Sequence, residues 1–477
     1  MSFPTVIVIG GGLAGLASAV ALAESGCRVQ LLEKRPFLGG RATSYLLPDG
    51  SHVDNCQHVT LGCCTNLADF YRRVGSGDKI RFYDRLHFTD RRGRRSTISS
   101  SPLLPVPLQL APSFLRFAGL DWADKRGIAR ALLRIARSGG RPRDAEGVSM
   151  KDWLRREKQT AGAMERFWRV VLVSALDEEL DRTDARYGVD VFWKAFLSNR
   201  DGFPVGIPTV PLSDLYRGCL AAVERRGGEV RSRCVVREMR LDGERVASLV
   251  LDDGTELVAD VFLAAVPHDA LLEILPAAFV EGSAVLRNLR NLRYAPITGI
   301  HLWFDRRVMQ EPFLTLLDGT VQWVFNKSLL YGEGESPTGT KGQYLQLVVS
   351  ASYDLIQRSR QEIIDLCLSE LRDVLPATRE ATLSKATVIK EVSATFSPEP
   401  GSDRWRPGAE SPLGNLWLAG DWTRTGWPAT MEGAVRSGYL AAEAILARAG
   451  HAQKFLQPDL PPQGLCARWA QSAGNVE

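Results

Sequence analysis

Thr5-Val6-Ile7-Val8-Ile9, running straight into Gly10-Gly11-Gly12-Leu13-Ala14-Gly15, is the stretch that decides the fold. The β-branched run reads as a short strand, and the glycines end it in a tight turn. Gly10, Gly12 and Gly15 form the G-x-G-x-x-G pattern, which lets backbone N–H groups, here with Leu13 and Ala14, approach a pyrophosphate at a helix N-terminus. Leu13 to Ser25 then reads as an Ala/Leu-rich helix and Arg28 to Leu32 as a second strand, giving a β-α-β unit. Glu33 closes that strand eighteen residues after Gly15, with Lys34 beside it. A carboxylate there accepts both ribose hydroxyls of an adenosine and excludes NADP as the tightly bound nucleotide.

Working outward, Gly39-Gly40-Arg41 follows within eight residues of Glu33. At the far end, Asn415 to Ala419 reads as a strand, Gly420-Asp421 as a turn, and Met431 to about Arg448 as a helix opened by Thr430. Between them, Arg233-Cys234-Val235-Val236 leads into strands with Asp-Gly turns at Leu241-Asp242-Gly243 and Asp252-Asp253-Gly254. Ile300 to Phe304 and Tyr344 to Val349 read as further strands, and 359–373 as a helix.

This G-G-R pattern, with the N- and C-terminal motifs, resembles the amine oxidase and phytoene desaturase superfamily of flavoproteins. The resemblance implies noncovalent FAD, with Arg41 at its pyrophosphate, Gly39 and Gly40 admitting it closely, and Gly420 and Asp421 beside the ribityl–phosphate region. Thr430, Met431, Glu432 and Ala434, at the start of the last helix, face flavin N1, where a helix N-terminus stabilises the negative charge of the reduced ring. Thr430-Met431-Glu432 also reads as ordinary helix capping, and Val236, aligned with a residue that touches adenine, reads equally as core packing. The implied fold is α/β, with a discontinuous Rossmann-type FAD-binding domain (1–90, 205–270 and 410–450). An α+β substrate domain with a helical membrane-facing part completes it. That part is a helical substrate- and membrane-facing region (91–204), followed by a mixed sheet-and-helix segment (271–409) and a loose tail (451–477).

Within the superfamily, further segments resemble the hydroxysqualene dehydroxylase (squalene-associated FAD-dependent desaturase) subgroup. They are Val53-Asp54-Asn55-Cys56-Gln57-His58-Val59, Leu104-Pro105-Val106-Pro107-Leu108, Phe167-Trp168 with Ala175-Leu176, and Val321-Gln322-Trp323-Val324-Phe325. Cys56 departs from the subgroup's usual glycine. The resemblance implies reduction of hydroxysqualene to squalene in triterpene or hopanoid biosynthesis, with Gln57 and His58 along the isoalloxazine. Loss of an allylic hydroxyl needs an acid, and the candidates for that acid or for a group that orients the site are Asp54 and His58. Each has a plainer reading, Asp54 as an acceptor of backbone amides and His58 as a core histidine. The alternatives are a carotenoid-type desaturase, an amine or porphyrinogen oxidase, and a flavin-stabilised membrane scaffold without activity. Amine oxidases often carry a lysine near flavin N5, and no lysine occurs between Lys194 and Lys327.

Composition is that of a globular protein: 477 residues, 45% hydrophobic and 24% charged, with a net charge of +4. Eight scattered cysteines without C-x-x-C spacing, and six dispersed histidines, point to no metal site and no disulfide framework. Strand-forming residues begin directly after Ser2-Phe3-Pro4, so no signal peptide is expected, and no stretch of 18 strongly apolar residues marks a membrane span. Charge is uneven, however. Residues 91–150 hold twelve Lys/Arg against four acids. They include the uncharged, proline-broken run Ser96–Leu115 and a helix with Arg126, Arg130, Arg134 and Arg137 on one face. That combination suits a cytoplasmic, peripheral protein on the inner face of the cytoplasmic membrane, drawing a linear isoprenoid from an anionic surface. A solvated cap over the site is the plainer alternative. No aromatic interleaving points to nucleic acid. Other squalene-pathway enzymes are the further partners expected.

Overall fold

Thr5–Ile9 lies at the centre of a five-stranded parallel sheet. The order is Glu229–Ser232, Arg28–Glu33, Thr5–Ile9, Val261–Ala264 and Leu416–Leu418. Val6 and Val8 join the apolar cluster of the opening helix (Leu13–Glu24) and the closing helix (Met431–Arg448). Ile7 and Ile9 join the cluster of a three-stranded antiparallel sheet, Val236–Asp242, Arg245–Leu251 and Glu256–Leu257. Both faces are therefore covered, and an uninterrupted apolar strand is the sequence such a position requires. The opening helix can sit on its strand only because residue 15 is glycine. A Cβ there would stand 1.9 Å from the Gly10 carbonyl oxygen. This computed structural model describes residues 3–332 and 342–474; the expectations that touch residues 1–2, 333–341 and 475–477 fall outside the described residues.

The second body is a seven-stranded sheet ordered Leu383–Phe396, Tyr294–Phe304, Gln343–Val349, Trp323–Asn326, Phe313–Leu316, Arg85–Thr89 and Arg95–Ser99. The helix Arg360–Val374 covers one face through Ile363, Cys367 and Leu371. Helices Trp122–Arg137, Met150–Arg156, Arg169–Leu176 and Ala185–Val191 pack around Trp153, Trp168 and Phe192. Two boundaries drawn from sequence move as a result. Arg85–Thr89, assigned to the first FAD segment, and Arg95–Ser99, assigned to the helical region, both belong to the seven-stranded sheet. Arg95–Ser99 pairs with Arg85–Thr89, whose other partner, Phe313–Leu316, lies more than two hundred residues away.

The C-terminal segment is not loose. Phe455 is buried among the core residues of the nucleotide-binding half, and Gly464–Gly474 forms a helix whose Cys466 is fully buried against the helical region. The Gln457 N–H donates to Asn66 Oδ1 at 2.8 Å, and Asn199 Nδ2 donates to the Pro461 carbonyl at 2.8 Å. Prolines stop regular structure here without preventing packing.

Glu432 is likewise reassigned. Its carboxylate turns away from the nucleotide side and accepts from the Leu67 N–H (2.7 Å), the Asn66 N–H (3.2 Å) and Asn66 Nδ2 (2.8 Å). These amides open the helix Thr65–Arg73, whose N-terminal residue Cys64 supplies no side-chain cap. Glu432 is thus a cap delivered from another element. Replacing Glu432 with Ala should lower unfolding stability by about 1–3 kcal/mol, since buried amides lose their acceptor. Gln should retain part of it. Denaturant midpoints check this, and an unchanged midpoint in the Ala variant would refute the capping role.

Candidate active site

A cavity of about 510 Å³ is lined from both bodies, within the ~300–1,000 Å³ usual for ligand sites. Its nucleotide end collects Gly10, Gly12, Leu13, Ala14, Glu33, Lys34, Gly39, Gly40, Arg41, Val236, Gly420, Asp421, Thr430, Met431 and Ala434, with Gln57 and His58 further along. Gly15 is not on the wall, because its place is the helix–strand contact described above.

The two glycine loops lie against each other. Gly39 N–H donates to the Gly11 carbonyl at 2.8 Å, and a Cβ on Gly40, at φ +61°, would stand 3.0 Å from Gly12 Cα. Glu33 accepts from the Gly11 and Arg35 N–H groups, at 2.7 Å each. A carboxylate has about four lone-pair sites, so two remain for ribose hydroxyls. Arg41 reaches across to Asp421 Oδ1 at 2.5 Å and to the Ala394 carbonyl at 2.7 Å. This joins the first motif to the last, and the remaining guanidinium N–H groups stay available for phosphate. Thr430 caps the closing helix by accepting from the Gly433 N–H at 3.0 Å and also lines the cavity. Close backbone approach, free carboxylate lone pairs, a cation and a helix N-terminus on one wall are what a flavin adenine dinucleotide needs.

Asp54 is corrected. It does not line the cavity but is buried 2.7 Å from Lys327 Nζ, with neither side chain meaningfully exposed. Ser44 and Tyr331 hydroxyls and the Leu212 N–H also donate to it. Burial alone would raise its pKa, but Lys327 and these donors hold it below the usual carboxylate range, so it has no proton to give. Lys327, pushed down by burial and restored in part by Asp54, also donates to Gln57 Oε1 at 2.7 Å. It thereby fixes a side chain of the cavity wall from behind.

His58 does line the cavity, but burial pushes its pKa down. Its Nδ1 lies 2.9 Å from the Cys56 carbonyl, an acceptor only, so Nδ1 carries the proton and Nε2 is left an acceptor. The imidazole is neutral and is not the acid. Cys56, in place of glycine, fits the wall with its thiol pushed up to about 12 by burial.

The opposite end of the cavity is apolar. Ala175, Ile297, Trp323, Phe325 and Val348 form it, three of them from the segments that carried the subgroup resemblance. One side chain there escaped the sequence reading. Asp177 is 4% exposed, lines the cavity, and accepts from the Ala351 N–H at 2.7 Å and the Thr395 hydroxyl at 3.0 Å. Burial first, and then the neighbouring Glu178, raise its pKa well above the usual carboxylate range. In sequence it is one of three successive acids, Asp177-Glu178-Glu179, and no motif sets it apart.

Comparison with known proteins agrees with this geometry. The family described as flavin containing amine oxidoreductase matches residues 13–446. The tomato (Solanum lycopersicum) 15-cis-phytoene desaturase is 28% identical over 464 residues, covering 92% of this chain and 77% of its own. The zeta-carotene desaturase of Synechocystis is 26% identical over 481 residues, covering 94% and 98%. Among solved structures, an oxidoreductase from Methanosarcina mazei superposes with a TM-score of 0.72 at 18% identity, covering 93% of this chain and 100% of its own. Putrescine oxidase gives 0.72 at 16%, covering 93% and 99%.

Replacing Lys327 with Met should destabilise the protein by about 3–5 kcal/mol, because it leaves Asp54 charged and buried. Combining it with Asp54→Asn should recover much of that loss. Since the Asp54 pKa is depressed, its contribution is complete above the ordinary value of 3.8 and is lost as pH falls through the lower folded value. The double variant should therefore show a shallower acid-unfolding profile below that pH. Denaturant titrations across the acid range measure both effects, and equal losses in the single and double variants would refute the pairing.

Proposed function

We propose, because the chain belongs to the flavin-containing amine oxidoreductase family and is an FAD-dependent oxidoreductase, that its substrate is a long linear isoprenoid. Its reaction is the reductive dehydroxylation of hydroxysqualene to squalene. The observation that carries the substrate class is the apolar end of the cavity, where Ile297, Trp323, Phe325 and Val348 continue the cofactor wall with hydrocarbon. Relatives named for phytoene and zeta-carotene support it. The direction rests on the subgroup segments around Gln57-His58 and Trp323.

Bound FAD, when reduced, supplies two electrons and hydrogen to a substrate carbon. The chain does the rest. Arg41 and the paired glycine loops hold the pyrophosphate, and Glu33 holds the ribose. Lys327 locks Gln57 on the wall, and the aromatic end excludes water, which would otherwise capture an allylic cation. The cofactor is read as noncovalent, since no Cys or His lies in a familiar flavinylation context.

A second reading is favoured by the 28% and 26% identities to desaturases, which would use the same cavity in the opposite direction. The two are separated anaerobically. On the first reading, the purified protein is yellow and releases FAD on denaturation, and once reduced it turns hydroxysqualene into squalene with one flavin oxidised per product. Oxidised enzyme bleached by a more saturated polyene, with no reaction of reduced enzyme toward the alcohol, would establish the desaturase instead.

Delivery of such a substrate fits an anionic membrane surface beside the helical region. Leu103 is 90% and Trp122 65% exposed, with Leu108 and Leu115 also exposed, next to Arg116, Lys125, Arg126, Arg130 and Arg137. Arg134, grouped with that face in the sequence, is paired with Glu157 and Asp144 and drops out. No helix among the described residues is long and apolar enough to cross a membrane. Changing Arg126, Arg130 and Arg137 to Gln should weaken binding to anionic liposomes by about 3 kcal/mol, roughly 10²-fold at low salt. Turnover of detergent-dispersed substrate should be unaffected. Sedimentation equal to the parent's would mean the basic face is only solvated.

A further inference from the structure

Asp177 occupies the residue after the helix Arg169–Leu176 in left-handed backbone, at φ 56°. That conformation is uncommon for residues with a Cβ, although Asp adopts it more readily than most. Its amide partner Ala351 is also left-handed, at φ 50°, so two disfavoured residues meet in one hydrogen bond. Such backbone persists where surrounding structure enforces it, and it clusters at functional sites. Here it holds a carboxyl on the cavity wall.

Burial first, and then Glu178, push that carboxyl's pKa well above the usual range, against the pull of its two hydrogen bonds and of Arg41. Among the described residues no Lys or Arg is paired with it. Arg41, the nearest cation on the wall, is committed to Asp421 and the Ala394 carbonyl. Glu178, next in the chain, adds negative charge and is itself held by Arg182 and the Tyr353 and Ser397 hydroxyls. From the opposite wall comes only the Cys56 thiol, which burial keeps protonated. Neither Asp54, ionised against Lys327, nor His58, neutral against the Cys56 carbonyl, offers the cavity a proton.

We propose that Asp177 is the proton donor that lets the substrate's hydroxyl leave as water, an inference that rests on the dehydroxylation reading. The carboxyl proton passes to the hydroxyl oxygen, and the allylic C–O bond breaks with its electron pair departing on water. The delocalised carbocation left behind takes one hydrogen with its electron pair from the reduced flavin, the co-reactant. A proton from solvent restores the carboxyl once the product has left, so alcohol, anionic reduced flavin and one proton become hydrocarbon, water and oxidised flavin. Thr395 serves both charge states, because its hydroxyl can accept from the acid and donate to the carboxylate.

Asp177→Asn preserves shape, left-handed backbone and the bond from Ala351. In FAD-loaded, anaerobically reduced enzyme, it should slow flavin oxidation by hydroxysqualene about 10²-fold or more. An allylic chloride of the same skeleton departs without protonation, and with it the variant should stay within about threefold of the parent. Independently of turnover, the infrared difference between parent and variant holoenzyme at neutral pH should show the C=O stretch of a protonated carboxyl. Thr395→Val, which leaves Asp177 in place, should slow the alcohol roughly tenfold and spare the chloride. Equal alcohol rates in parent and Asp177→Asn, equal slowing on both substrates, or no protonated-carboxyl band would each overturn the assignment. A parent inert toward the alcohol would overturn the dehydroxylation reading and the proton donor together, which distinguishes that failure from a variant as active as its parent.

Discussion

The ion pair between Lys327 and Asp54 holds the two bodies of this protein in register. Asp54 ends the strand His52–Asp54 in the nucleotide-binding half, and Lys327 follows a strand of the seven-stranded sheet. Removing two charges from water is expensive, and their attraction repays it only where the remaining donors and acceptors are satisfied. Here they are, by Ser44, Tyr331, Leu212 and Gln57. A buried pair of this kind is better understood as specifying one relative placement than as adding stability. Any slip between the bodies would strand a charge in the interior. Because Gln57 takes its orientation from Lys327, the same constraint sets the wall along which the cofactor and substrate meet.

Along that wall the electrostatic character changes in steps. The nucleotide end presents Arg41, free backbone amides and a helix N-terminus, all suited to negative charge. The middle presents neutral groups, Gln57 and a neutral His58. The far end is hydrocarbon, and Asp177, its pKa raised by burial, lies on the same wall. What the chain does with a bound polyene depends on the third.

How much of this was legible in the sequence follows from the range of each interaction. The glycine turn, Glu33, Gly39-Gly40-Arg41 and Gly420-Asp421 were readable because each acts through its own backbone or a side chain at a fixed offset from it. Seventeen of the proposed cofactor residues line the cavity, and the two that do not, Gly15 and Glu432, are held by contacts between elements. Asp54 was misread because its partner lies 273 residues away. Asp177 was overlooked because three adjacent acids look solvated until Ala351 and Thr395 close over the first of them. The tail was called loose on its prolines, whereas Phe455 and Cys466 anchor it on surfaces that exist only in the folded chain.

The central sheet has a consequence for how the molecule comes into being. Its strands are drawn from residues 5–33, 229–264 and 416–418, so the first-made strand waits for Val261–Ala264 on its second side, and the sheet waits for Leu416–Leu418 to complete it. A nascent chain leaving the ribosome carries the glycine turn from the start but has no Asp421, no closing helix and no final strand. Contacts of such sequence separation form late and slowly. Cofactor capture is consequently a terminal event of synthesis. A chain that stops before residue 416 lacks the last strand, Asp421 and the closing helix, and leaves the outer edge of Val261–Ala264 unpaired.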